Sequence, residues 1–116
     1  MSHRDQYIWQ RGINLSILCY DLTKHFPQSE LYGLTSQIRR SSVSVPSNIA
    51  EGYGRVGKTE YIRFLQIALG SLRELDTQLI IAQKVGLTTP EQFAPVMKET
   101  DEMLRIMVST LRKLEN

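Results

Sequence analysis

Cys19 is the chain's one cysteine, so no disulfide can close within it, and a reducing, cytoplasmic setting is the expectation. Histidine is almost as scarce. His3 and His25 stand alone, with no HExxH spacing and no paired glutamate, so no metal site is expected. No apolar run approaches the ~18–20 residues of a membrane span, and the opening MSHRDQYIWQRG lacks the apolar centre of a secretion signal. At 116 residues the chain has length for one domain with a real core. It has no room for the sheet and crossovers of a complete nucleotide-binding fold. Hydrophobic residues make up 41% and charged residues 22%, values that exclude wholesale disorder.

What the chain does have is an uneven distribution of charge. The formal net charge is only +2. Residues 37–63 hold Arg39, Arg40, Arg55, Lys58 and Arg63 against Glu51 and Glu60, a net +3, while the remainder has nine basic and ten acidic residues. The excess therefore lies in one mid-chain stretch, a footprint suited to an anionic partner. Arginine adds a planar, permanently charged fork that matches phosphate.

The hydrophobic spacing is helical throughout. A first helix is expected from about residue 6 to 26, with Ile8, Gly12, Leu15, Cys19, Leu22 and Phe26 on one stripe, ended by Pro27. Ser29 then offers an N-cap for a second helix, from Glu30 to Gly52 or Gly54. Its stripe (Leu31, Leu34, Ile38, Ser42, Val45, Ile49) is poor in bulk, which would let a neighbour approach closely. Pro46 should kink this helix near Ser42–Val45, or failing that break it, with Asn48 and Glu51 bonding the backbone groups it leaves free. Gly52, Gly54 and Gly57 are expected to end the helix through positive φ. A third helix opens at Lys58 or Thr59 and runs to about Val85, with Ile67, Ile80 and Ile81 off its inner stripe and available for a second contact. Gly86 caps it, and Thr89-Pro90 starts a fourth that ends near Leu114. Four such helices with short connections predict an all-α, up-down-up-down four-helix bundle in a single domain, needing no cofactor.

The segment Gly52-Tyr53-Gly54-Arg55-Val56-Gly57-Lys58-Thr59 matches both GxGxxG and GxxxxGK[ST]. Either pattern needs a buried strand ahead of it, and the preceding SSVSVPSNIAE carries Pro46 and Glu51, which do not suit a central strand. A basic turn between two helices is the better reading. Cys19 lies on an apolar stripe, and Glu51, Glu60 and Glu74 have no reason to converge, so no catalytic constellation is visible.

The run YGLTSQIRRSSVSVPSNIAEGYGR, followed by EYIRFLQIALGSLRELDTQL and a Gly-Leu turn, resembles the four-helix-bundle proteins encoded in intervening sequences of bacterial 23S rRNA genes. The family's arginine pair falls on Arg39 and Arg40, its proline on Pro46, its AEG turn on Ala50-Glu51-Gly52, and its next arginine on Arg55. The Gly57-Lys58-Thr59 continuation is no essential part of that pattern. The resemblance implies a ring-like homo-oligomer, a pentamer by preference. It also implies a likeness to accessory proteins of diversity-generating retroelements, whose basic pentamers bind nucleic acid and a reverse transcriptase. RNA or DNA, a further copy of the chain, or a reverse transcriptase are thus the expected partners.

Overall fold

The computed structural model describes residues 1–116. It contains four long helices, α1 (Tyr7–Thr23), α2 (Ser36–Tyr53), α3 (Lys58–Lys84) and α4 (Pro90–Glu115), and no strand. Cross-helix contacts fix the directions. Gly12 lies against Pro46 and Ser16 against Ser42. Gly52 abuts Phe64 while Arg40 reaches Glu74, and Gln66 reaches Glu115. Rising numbers on one helix meet falling numbers on the next, so the bundle is antiparallel and up-down-up-down. At about 1.5 Å per residue, the 27 residues of α3 span most of the 44 Å long axis.

The expected stripes form one core, including Leu15, Cys19 and Leu22 of α1, Ile38, Val45 and Ile49 of α2, Leu65, Leu72 and Leu79 of α3, and Phe93, Met103 and Met107 of α4. Phe26 and Phe93 close one end, their ring centres 5.9 Å apart. No helix is long and apolar enough to cross a membrane.

The caps follow local chemistry. Thr89 accepts from the Gln92 amide ahead of Pro90, and Gly86, at φ 73°, ends α3 with the Leu87 amide bonded back to the Ala82 carbonyl. Two boundaries differ from the sequence expectation. The first helix stops at Thr23, the next residues turning before Pro27. The second does not begin as α-helix at Glu30, and Ser29 does not cap it. Instead the Glu30 carboxylate accepts from the Leu34 amide, Leu31–Thr35 makes a wide π-type turn, and Gly33 leaves helical geometry (φ −111°, ψ −119°). Regular α-helix starts only at Ser36.

Pro46 does not break α2, which is helical from Ser36 to Tyr53. Proline removes the donor that the Ser42 carbonyl would have received, and that carbonyl is buried in the α1–α2 seam. Its partner is the Ser16 hydroxyl, 2.8 Å away on α1. Asn48 and Glu51 do not serve it. The Asn48 amide donates to the Ser44 carbonyl at 2.8 Å, and Glu51 holds Arg55. The glycines also work differently from the expectation. Gly52 and Gly54 have no positive φ; only Gly57 (93°) and Gly86 do. Gly52 is needed for space, since a Cβ there would stand 2.8 Å from Phe64 Cβ.

Candidate nucleic-acid interface

The five mid-chain cations separate into two groups. Arg55, Lys58 and Arg63 surround the α2–α3 turn. The positive φ of Gly57 lets the chain reverse there, and the bare Cα of Gly52 lets Phe64 press against the end of α2. The Phe64 ring then carries two guanidinium groups, Arg55 at 5.0 Å and Arg63 at 5.2 Å from its centre. At an exposed site such as this a ring face attracts a cation by roughly 0.5–1 kcal/mol, which pre-positions both forks. Each also has a carboxylate neighbour, Glu51 for Arg55 and Glu60 for Arg63 at 3.6 Å. Lys58 is exposed and has no acid within 4.0 Å.

Arg39 and Arg40 lie near the opposite end of α2. Consecutive helical residues point about 100° apart, and these two serve different seams. Arg40 crosses to Glu74 on α3 at 3.2 Å. Arg39 turns toward α1, where its Nε donates to Thr23 Oγ1 at 2.8 Å and its guanidinium lies 4.7 Å from the Tyr20 ring centre. It alone among the four arginines has no carboxylate within 4.0 Å. From Arg39 to the end of α2 is about 21 Å of helix axis, so the cluster seen in the sequence is two sites, not one patch. Three of its charges are also answered locally. Such exposed pairs are worth about 0–1 kcal/mol and can be exchanged for a phosphate.

Other charged groups were hidden by sequence distance. Arg11 on α1 binds both oxygens of Glu99 on α4 at 2.7 Å, Glu102 at 2.6 Å and the Tyr7 hydroxyl at 2.6 Å. These hydrogen bonds, foremost that to Glu99, raise its pKa further above the usual arginine value. Arg73 of α3 and Arg112 of α4 flank a groove of about 410 Å³ floored by Leu69, Val108 and Leu111, and Arg105 borders the next hollow along α4. None of these three has an ion pair. Arg105 and Arg112 share α4, and the antiparallel register of α3 and α4 brings Arg73 to Arg112. Ile67, Ile80 and Ile81 are exposed as expected, but Ile80 is about 140° around the helix from Ile67, so they do not form one face.

The segment that a phosphate loop would require as a strand, Ser41–Glu51, is helical. The turn is therefore a helix connection. Burial pushes the Cys19 thiol up to about 12, the opposite of an activated nucleophile.

These features define a small antiparallel four-helix bundle whose surface presents guanidinium groups seated on aromatic rings. The chain belongs to the 23S rRNA-intervening sequence protein family, whose sequence profile matches residues 4–109. A similar solved structure is a protein of unknown function from the S23 ribosomal protein family of Bacteroides thetaiotaomicron VPI-5482. It has a TM-score of 0.82 and 21% identity, covering 90% of this chain and 97% of that one. At that identity the likeness speaks for the fold. No curated protein matches the chain.

Proposed function

We propose that this protein is a non-catalytic nucleic-acid-binding and scaffolding protein that acts as a ring-like homo-oligomer, a pentamer by preference. The observation that carries the reading is the α2–α3 turn. Two guanidinium groups share the Phe64 ring, and Lys58, free of any carboxylate, lies between them in the sequence. Planar forks held by an aromatic ring suit a phosphate chain, and contacts of this kind release counterions. One copy of the turn brings three cations against Glu51 and Glu60, a net +1, too little for firm binding. A closed ring of identical subunits repeats it around an axis, and linked weak sites gain affinity without new contacts.

Binding of a labelled structured RNA across a salt series tests it. Wild type should show a steep loss of affinity with salt. Arg55→Ala/Lys58→Ala/Arg63→Ala should flatten the slope by about 0.7–0.9 for each phosphate that is no longer neutralised, and Arg39→Ala/Arg40→Ala should flatten it less. A folded wild type that binds no RNA, or binds it independently of salt, would overturn the proposal.

A further inference from the structure

A second group of residues gives the Arg39 end of α2 a different character from the turn. Where the chain enters α2, Tyr20, Leu31, Tyr32, Arg39 and Val43 line a largely apolar hollow of about 520 Å³, within the usual range of about 300–1,000 Å³ for small-ligand sites. Tyr32 is 93% exposed and touches almost nothing of its own chain, an unusual position for a large aromatic ring. The cause is local. Gly33 departs from helical geometry immediately after it, so Tyr32 stands on the wide turn instead of joining the packed face of α2. Across the hollow, Arg39 is already fixed by Thr23 and backed by the Tyr20 ring, and its charge is not answered by any carboxylate within 4.0 Å. Arg40 lies at the same rim.

An exposed aromatic ring, a guanidinium plane supported from behind and an apolar floor are what an unpaired base requires: π-faces on which to stack and a cation for the adjoining phosphate. A base within a duplex, stacked on both sides, cannot enter such a hollow. We infer that this groove binds an unpaired base of single-stranded nucleic acid, stacked on Tyr32 and on the Tyr20-backed plane of Arg39, with neighbouring phosphates on Arg39 and Arg40. The inference rests on the function proposed above and sharpens it from nucleic acid in general to single-stranded segments.

Anisotropy titrations with the full chain, using a labelled oligouridine, an abasic strand of equal length and an RNA duplex, separate stacking from charge. Tyr32→Ala should weaken oligouridine binding about 10-fold, leave the abasic strand and the duplex unchanged, and leave the salt slope intact. Tyr32→Phe should restore wild-type affinity, and Arg39→Ala should reduce the slope for both single strands. Equal weakening on all three probes, or no effect of Tyr32→Ala on oligouridine, would overturn the base-stacking site while leaving nucleic-acid binding standing. A change in sedimentation of Tyr32→Ala would overturn it in favour of a contact between copies of the chain. If wild type binds none of the probes, both proposals fall.

Discussion

Helix α1 meets its two neighbours by opposite means. Toward α2 it presents Gly12, Ser16, Cys19 and Thr23, all small and all buried. The two backbones come so close that a Cβ on Gly12 would lie 3.2 Å from Pro46 Cβ. Toward α4 it extends Arg11, a long side chain that reaches Glu99 and Glu102. The first seam is held by shape and by hydrogen bonds out of water, the second in part by charge at the edge of water. The two should therefore fail under different stresses, volume in one case and ionic strength in the other.

The largest effect should come from filling the shape-held seam. Gly12→Leu has nowhere to place its side chain, and overpacking of this kind costs about 3 kcal/mol, to be read from urea unfolding. Cys19, in the same seam, gives a direct report. Its thiol, pushed up to about 12 by burial, should react with a disulfide reagent in wild type only as fast as the seam opens, and markedly faster in Gly12→Leu. Next comes Ser16→Ala, which strips the Ser42 carbonyl of its donor and should destabilise by about 2 kcal/mol, independently of salt. In the charge-held seam, Glu99→Gln leaves Arg11 with Glu102 as its one carboxylate, beside the Tyr7 hydroxyl. Both members of the pair are largely shielded, at 20% and 12% exposure, so a loss of about 1.5 kcal/mol is expected. Unlike the first two, this loss should shrink as salt rises. Equal salt dependence for Ser16→Ala and Glu99→Gln would erase the distinction between the seams.

The smallest effect concerns α3 and α4. Burial, and secondarily the charge of Asp101, raise the Asp76 carboxyl above its ordinary 3.8. A carboxyl that holds its proton more tightly when folded lowers stability as pH rises from the unfolded to the folded value. Asp76→Asn should therefore stabilise the protein slightly at pH 7, and lose that advantage below pH 3.8. Thermal melts at two pH values would show it.

Much of the fold was legible because it is written in short-range periodicity. The stripe from Leu15 to Leu22 is buried as its spacing implies, and Thr89-Pro90 and Gly86 act where capping chemistry places them. The start of α2 was not legible. Leu31 and Leu34 continue a helical pattern, yet Gly33 and the Glu30 cap turn the chain before the helix begins. Gly52 resembles a turn glycine in sequence, but what it answers is the nearness of Phe64, a residue of another helix. The basic cluster was half legible. Charge counting names its members, but about 21 Å of helix separates Arg39 from the end of α2, so they make two sites. The Arg11 network has partners 88 and 91 residues away and left no local pattern.

The hydroxyl that Ser16 lends to the Ser42 carbonyl also ties two distant positions together by descent. Replacing Pro46 with alanine would return a backbone N–H to α2 and give that carbonyl its own donor, after which Ser16 could be replaced at little cost. Replacing Ser16 while Pro46 remains would strand a buried acceptor. The order in which the two changes arise thus decides whether the intermediate is viable: a lineage can shed the proline first and the serine second, but not readily the reverse. Across relatives of this chain, a small hydroxyl residue at position 16 should accompany proline at position 46, and should drift freely wherever that proline is gone.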